Sequence, residues 1–279
     1  MLKLASVYKV EEDEDKPFEA VPLTEDKTKK YEIQVSDRVG TINLLERMEN
    51  VIMYSTGIQD YVPPKVRKLA VEIMKNHDLI KYILGEIRQK YQRQDKDFEI
   101  SLNDVEEYKR YQILELFRKM SGIISGVRYN RENNTIKCSL TMTQKAQRFI
   151  TGQYLEIAVE EVVNDILSEW AGSKGIPYKV YRNVKIESLN GTVKNEFDIV
   201  IVIRNKFYIV ECKSGKNFDD WNRLSEIAVD YGILPQRMCL VYSYATEEDI
   251  QSIEYFCGYY ICDTSSLRNK IIQMISFGW

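Results

Sequence analysis

Apolar and polar positions in the last third of the chain follow the two-residue period of strands and the longer period of helices in turn. Two apolar runs rich in Ile and Val, at 196–203 and 207–213, are separated by the polar residues at 204–206. Runs of this length around a short polar break predict a β-hairpin of two buried strands. A strand at 178–188 is predicted before them, because Asn190-Gly191 is a strong hairpin-turn signal.

Helical spacing of apolar residues predicts helices on both sides of these strands. One helix opens at Thr151 and ends near Gly172 and Gly175. Three more are predicted at about 218–231, after the capping-box sequence that starts at Thr246, and at 265–277, with strands at 238–244 and 259–262. Alternating strands and helices in this order indicate a mixed, partly parallel sheet.

The N-terminal half has weaker signals. Helices are predicted at 42–49, at 64–94 with a break near Asn76-His77-Asp78, from Ser101 to Met120, and at 143–150, with a hairpin at 126–130 and 135–140. Helices followed by a hairpin suggest a winged-helix-like module, whose wing would carry Arg128, Arg131 and Lys137 and contact phosphates. The same pattern also occurs in regions that have only a structural role and do not bind DNA. We therefore expect a flexible polar segment at 1–40, a mainly helical domain at 41–145 and an α/β domain at 146–279.

Charged residues interrupt the predicted hairpin. Asp198 lies on its first strand, and Glu211 and Lys213 lie on its second, both on the face opposite to Cys212. A turn at Asn205-Lys206 would place Asp198 opposite Lys213, on the same face, whereas a slip of one residue would move it to the other face. The pattern therefore predicts that two carboxylates and one ammonium group meet.

Such a cluster has a functional interpretation and a non-functional one. Burying these charges for stability alone is costly, because desolvation offsets much of the Coulomb attraction. Carboxylate oxygens with waters are the ligands of Mg²⁺ or Mn²⁺, so we predict that Asp198, Glu211 and the carbonyl of Cys212 bind such an ion. Lys213 would orient or deprotonate a bound water. In the non-functional interpretation, these residues are solvated surface charges whose spacing arises by chance.

The order of Asp198, twelve intervening residues and Glu211-Cys212-Lys213 resembles the PD-(D/E)XK nuclease superfamily. Asp198 and Glu211 match its acidic positions and Lys213 matches its lysine, although Phe197 stands where many members have proline. Glu156 matches the accessory helix glutamate of many members; alternatively, it is a solvent-facing helix residue. The resemblance implies an α/β fold with a restriction-endonuclease-like αβββαβ core, preceded by the mainly helical, winged-helix-like N-terminal region.

Three segments, at 149–156, 195–198 and 210–215, are also similar to the nuclease domain of CRISPR-associated effectors that couple a cyclic-oligoadenylate sensor to a PD-(D/E)XK nuclease. This resemblance implies a homodimeric, metal-dependent endonuclease of prokaryotic defence that cuts nucleic acid, with DNA favoured over RNA. The sensor domain of those effectors should begin with an apolar strand, whereas residues 1–45 are mostly polar. Only 51–57 resembles such a strand and loop, so a cyclic-oligoadenylate activator stays in doubt.

Composition limits the alternatives. The chain has 279 residues, of which 44% are hydrophobic and 29% charged, which is typical of globular proteins. Five scattered cysteines predict reduced thiols in a cytoplasmic protein, and no apolar run is long enough for a membrane span. His77 is the only histidine, which excludes mechanisms that need two. A second functional class stays open: a non-catalytic nucleic-acid-binding or assembly protein with a nuclease-like fold.

Charge is distributed unevenly along the chain. The net charge is −3, but the acidic run from Glu11 to Asp15 contributes −5, which leaves +2 for the rest. Residues 179–216 contain eight basic and four acidic residues, a balance of +4 that would attract a polyanion once a metal neutralises the carboxylates. The apolar terminal segment 259–279 either forms a homodimer interface or covers the sheet of its own domain.

Overall fold

The computed structural model describes residues 62–188, 193–203, 206–216, 221–230 and 233–277, together with the backbone of five short strands before residue 62. These strands are β1 (Tyr8–Asp13), β2 (Lys16–Pro22), β3 (Tyr31–Glu32), β4 (Thr41–Ile42) and β5 (Val51–Ser55). Residues 1–40, expected as a flexible polar segment, thus include β1, β2 and β3. The helix predicted at 42–49 falls outside the described residues except for Ile42, which belongs to β4.

The next region consists of three helices and a small antiparallel sheet with the strand order β6-β8-β7. Its elements are α1 (Pro64–Lys75), α2 (His77–Arg93), β6 (Asp97–Ser101), α3 (Glu107–Lys119), β7 (Ile124–Asn130) and β8 (Thr135–Leu140). Asn76 separates α1 from α2, as the sequence predicted. The helices and the β7–β8 hairpin are present in the predicted order, and their winged-helix-like character stays a prediction.

The helix predicted from Ser101 to Met120 is present, but its predicted start is wrong. Ser101 ends strand β6, and α3 begins only at Glu107. The physical reason is the alternation in β6, where Phe98 and Ile100 are buried and their neighbours are exposed. A period of two places both side chains on the core face of a strand, which a helix would not do.

The C-terminal region follows the predicted order of elements. Its elements are α4 (Gln144–Arg148), a π-helical turn (Phe149–Gln153), α5 (Tyr154–Trp170), β9 (Tyr178–Ser188), β10 (Val193–Ile203), β11 (Lys206–Lys213), α6 (Trp221–Asp230), β12 (Met238–Tyr242), α7 (Glu247–Cys257), β13 (Tyr260–Cys262) and α8 (Leu267–Ser276). Thr246 caps α7 through the predicted capping box with Asp249. The predicted Asn190-Gly191 turn lies outside the described residues.

One seven-stranded sheet, with the order β13-β12-β11-β10-β9-β5-β4, organises this region. Strands β11, β12 and β13 pair in parallel, and the other neighbours pair antiparallel. The predicted mixed sheet is therefore confirmed. Strands β4 and β5 extend it at one edge, so the N-terminal part of the chain contributes to the same sheet.

Helices cover both faces of the sheet. Helices α5 and α8 pack on one face in a core that also contains Ile199 and Val210. Helices α6 and α7 pack on the other, with Val200 and Ile209. In the terminal segment most of the apolar residues are buried, including Tyr259, Ile261, Ile271 and Met274, so they cover the sheet of their own chain. Within the described ranges, no helix combines the length and the apolar character that crossing a membrane requires.

Candidate active site

The register of the β10–β11 hairpin differs from the predicted one by two residues. Ile199 pairs with Val210 and Ile203 pairs with Lys206, so Asp198 is level with Glu211 and not with Lys213. The predicted turn started one residue too late, because Lys206 belongs to the strand. Since side chains alternate with a period of two, this shift keeps Asp198, Glu211 and Lys213 on one face. That face also carries Val200 and Ile209 and lies under α6.

Short contacts join the three predicted residues. The Cys212 backbone N–H donates a hydrogen bond of 2.7 Å to Oδ2 of Asp198. The Lys213 Nζ lies 3.4 Å from Oε2 of Glu211. The Glu211 side chain is only 8% exposed whereas that of Lys213 is 38% exposed, so the lysine lies on the solvent side of the pair. The side chain of Cys212 packs against the opposite core, as predicted.

The negative charges of the two carboxylates are unfavourable at this position. Burial raises the pKa of Glu211 well above its usual range, the charge of Asp198 adds to the rise, and Lys213 opposes it. Burial also raises the pKa of Asp198, against the opposing effects of Lys213 and the Cys212 N–H. Both groups therefore favour protonation or a nearby cation, and one ammonium group does not compensate two buried charges.

Lys213 is held in its charged form. Burial lowers its pKa, but the carboxylates of Glu211 and Asp198 raise it further, so the net shift is upward. A charged ammonium group donates hydrogen bonds and has no lone pair to accept a proton. A charged Lys213 matches the predicted role of orienting a water, and both roles stay predictions.

Glu156 lies at the start of α5 and belongs to the same electrostatic cluster. Burial raises its pKa to about 7, the charge of Asp198 adds to the rise, and Arg182 opposes it. A solvent-facing glutamate would not be shifted in this way. The structure therefore brings Glu156 into the neighbourhood of the predicted carboxylates.

A half-open cavity of about 160 Å³ gives access to the cluster. It is lined by Asp198, Glu211 and Lys213 and by five further residues: Asn195, Glu196, Arg223, Leu224 and Ile227. Arg223 on α6 brings a positive charge to the mouth of this cavity. Nothing in the local sequence of α6 marks it, because only the fold places α6 over the hairpin.

A left-handed backbone conformation lies beside Asp198. Asn183 in β9 has φ 54°. It stands between the pairs Val184–Phe197 and Arg182–Ile199, and so directly across from Asp198. Non-glycine residues rarely adopt positive φ, asparagine tolerates it better than most, and such strain often accompanies functional sites.

Ser214 follows Lys213 and is bound by a residue from far away in the sequence. Arg88 on α2 donates from Nη1 to the Ser214 carbonyl at 2.6 Å and from Nη2 to the Ser214 Oγ at 2.9 Å. Ser214 itself is 6% exposed. Sequence reasoning missed Arg88 because 126 residues separate it from Ser214, and no spacing rule reaches that far.

The donor set fits a hard divalent cation held partly by water. Among the residues that the structure describes, no three or more His, Cys, Asp and Glu side chains form a cluster that could hold a metal ion. Mg²⁺ does not require one, since it retains several waters and takes one or two carboxylates. Asp198, which is half-buried, and Glu211, which is buried, have carboxylate oxygens that could serve as two such ligands. The Cys212 carbonyl as a further ligand stays a prediction.

Comparisons with known proteins agree with this geometry. Residues 143–251 match the family model described as the Card1-like endonuclease domain. The solved structure of protein VC1899 from Vibrio cholerae is 18% identical, with a TM-score of 0.57 over 94% of this chain and 67% of that one. Can2 from Sulfobacillus thermosulfidooxidans, in complex with cyclic tetra-adenylate, is 17% identical, with a TM-score of 0.53 over 77% and 57%. No curated protein sequence matches the chain.

These findings confirm the resemblance to the nuclease domain of CRISPR-associated effectors and the predicted nuclease-like fold. The chain spans little more than half the length of Can2. At such low identities the two solved structures establish the fold alone. The family model supports endonuclease activity in general, and we conclude that residues 143–251 form a domain similar to the Card1-like endonuclease domain.

Proposed function

We propose that the protein is an endonuclease that depends on Mg²⁺ or Mn²⁺ and hydrolyses phosphodiester bonds of nucleic acid, with DNA favoured as the substrate. The observation that carries the proposal is the meeting of Asp198 and Glu211 on one face of the hairpin, with Lys213 at 3.4 Å from Glu211, inside a cavity open to solvent. The family match over this region supports the same activity.

Each residue of the site has a defined role in this proposal. Asp198 and Glu211 would hold the ion, together with the Cys212 carbonyl, and the Cys212 N–H fixes one oxygen of Asp198. A bound ion would supply charge stabilisation at the phosphate and would activate water for attack. Lys213 orients the attacking water through its ammonium group. Glu156, which lies near enough to Asp198 for the two charges to interact, serves as the accessory acidic residue.

Whether a cyclic oligoadenylate activates the protein is a separate question from the reaction itself. Can2 was solved with cyclic tetra-adenylate, so the doubt that the polar start of the chain raised about such an activator is not supported. We therefore propose that cleavage be measured both without and with cyclic tetra-adenylate.

A cleavage assay on the full chain tests the function. Supercoiled plasmid, single-stranded DNA and RNA are incubated with Mg²⁺, Mn²⁺, Ca²⁺ or EDTA, each with and without cyclic tetra-adenylate. We expect cleavage with Mg²⁺ or Mn²⁺ and none with EDTA. Ca²⁺ should support binding but little turnover, because it tolerates looser coordination.

Two site variants and one control complete the test. Asp198→Asn and Glu211→Gln keep the shape of the side chains but remove the charge, and each should lower the rate by roughly 100-fold or more. Asp104→Asn makes the same chemical change at an exposed position and should retain full activity. Cleavage that persists in both site variants would refute the proposal. Metal-independent binding without cleavage under any condition would favour the non-catalytic alternative.

A further inference from the structure

Arg88 connects α2 to the residue directly after the site lysine. Its two terminal nitrogens reach the carbonyl and the hydroxyl of Ser214, at 2.6 and 2.9 Å. A planar guanidinium that donates two hydrogen bonds to one residue fixes the orientation of that residue as well as its distance. A residue of the N-terminal helical region therefore fixes the backbone at the end of β11.

Ser214 in turn is connected to two parts of the site. Its hydroxyl donates a hydrogen bond of 3.0 Å to the carbonyl of Thr151 in the π-helical turn that leads into α5, the helix of Glu156. On its other side, Ser214 is covalently joined to Lys213, whose own carbonyl accepts a hydrogen bond from the Ser243 N–H at 3.0 Å. Arg88, Ser214 and Thr151 thus form a chain of hydrogen bonds from α2 to the start of α5.

Helix α2 is held against the sheet at a second point. The hydroxyl of Tyr244, just beyond β12, donates to the carbonyl of Lys81 at 3.1 Å. The ring of Tyr244 also meets the buried ring of His77 edge to face, with 5.1 Å between centroids. Because α2 is also held at His77 and Lys81, Arg88 reaches Ser214 from a helix that contacts the sheet region at more than one point.

We infer that Arg88 is a positioning residue of the nuclease site: from α2 it holds Ser214, and through Ser214 it sets the positions of Lys213 and of the start of α5. The inference rests on the proposed nuclease function. It means that the N-terminal helical region completes the site, and that hydrolysis requires α2 in its observed place. A shift of about 1 Å in a positioned group can cost roughly 100-fold in rate.

The direct test compares Arg88→Ala with Arg93→Ala in the full chain. Arg93 is exposed on the same helix, so the control removes the same charge without breaking the link. Arg88→Ala should lower kcat for plasmid cleavage by roughly 10- to 100-fold and leave KM within about twofold of the control. Guanidinium chloride at low millimolar concentration should restore part of the kcat of Arg88→Ala, and the same concentration of urea should not. An unchanged kcat, or a loss without rescue, would overturn the inference.

Ser214→Ala provides a variant that leaves α2 intact. It removes the hydroxyl that bonds Arg88 and Thr151 but keeps the carbonyl acceptor, so its loss of kcat should be smaller than that of Arg88→Ala. The double variant should be no slower than Arg88→Ala alone, because both changes break one chain of contacts. Losses that multiply would contradict a shared role.

Hydrogen exchange gives a readout that does not depend on cleavage. In Arg88→Ala, peptides that cover 210–216 and 149–154 should exchange faster than in Arg93→Ala, whereas a reference peptide over 135–140 should not change. If the two variants show this difference but the wild type never cleaves nucleic acid, the proposed function fails and the positioning link stands. Equal exchange in both variants, or faster exchange in the reference peptide as well, would show that Arg88 has no positioning role.

Discussion

At the level of single residues, Lys213 has the most specific expected effect. If Lys213 orients the attacking water as proposed, Lys213→Ala should lower kcat by about 100-fold or more, while the nucleic-acid Kd changes by less than about threefold. Lys216→Ala removes an exposed charge nearby and serves as the control; it should weaken binding slightly and leave kcat intact. Single-turnover cleavage and a filter-binding titration measure both quantities. Normal turnover with weaker binding would mean that Lys213 acts only as a charge.

His77 is the residue whose titration should be visible in protein stability. Burial lowers its pKa from 6.5 to about 4, and among the described residues neither ring nitrogen has a hydrogen-bond partner. Since the unfolded chain binds this proton more readily, stability falls as the pH drops from 6.5 towards 4. By linkage, this group should lower the free energy of unfolding by roughly 2 kcal/mol between pH 7.5 and pH 5.

Urea unfolding of wild type and His77→Phe at both pH values isolates this contribution. Phenylalanine keeps a ring against Tyr244 and cannot titrate, so the variant should lose less stability on acidification than the wild type does. The raised carboxyl groups of the active site act in the opposite direction, but they are common to both proteins and cancel in the comparison. Equal losses in the two proteins would refute the assignment.

At the level of elements, Asn183 in β9 has a left-handed backbone conformation, which predicts an unusual order of stability among its variants. Valine is normally favoured in strands and glycine is not. At Asn183, with φ 54°, the order should be reversed, because a β-branched side chain clashes with the backbone at positive φ. We expect Asn183→Val to lower the free energy of unfolding by about 2 kcal/mol and Asn183→Gly to stay within about 1 kcal/mol of wild type.

Chemical denaturation of the two Asn183 variants provides the measurement. Asn76→Val, at a half-buried position between α1 and α2 where φ is negative, shows the cost of the same change without this backbone conformation. If Asn183→Val were as stable as Asn183→Gly, strain at this position would be excluded.

Local patterns predicted those elements whose residues interact with near neighbours. The β10–β11 hairpin, the capping box at Thr246 and the break at Asn76 each depend on residues a few positions apart, and each was found where the sequence placed it. The register was missed by two residues, because the choice of turn residues decides it and Lys206 is equally compatible with turn and strand. In β6 the two apolar residues Phe98 and Ile100 gave too short an alternation to distinguish a strand from the approach to a helix.

At the level of the whole molecule, assembly is the open prediction. A single site cleaves one strand at a time, and the family resemblance implies a homodimer in which two sites face opposite strands. The structure removes the sequence argument for the terminal segment as an interface, since most of its described apolar residues are buried in their own chain. Sedimentation velocity at micromolar concentration should show a species of twice the chain mass of 32.8 kDa. A single species near 32.8 kDa, with and without nucleic acid, would exclude the dimer.

The long-range contacts of the site could not be predicted from the sequence. Asp198, Glu211 and Lys213 follow from one hairpin, and Glu156 was reached only through the family resemblance. Arg88 and Arg223 come from helices whose positions depend on how the whole chain packs. Their local sequences are those of ordinary amphipathic helices, so no pattern distinguishes them from surface arginines.

The geometry of the hairpin also identifies a place where foreign sequence can be inserted. Asp198 lies five residues before Ile203, the last paired residue of β10, and a strand rises about 3.3 Å per residue, so the carboxylates are about 17 Å from the end of the hairpin. A flexible linker or a fluorescent tag between Ile203 and Lys206 would leave the strand pairing, and hence the shared face, unchanged. One residue inserted between Asp198 and Ile203 would instead turn Asp198 to the opposite face. The hairpin therefore tolerates labels at its tip but not within its strands.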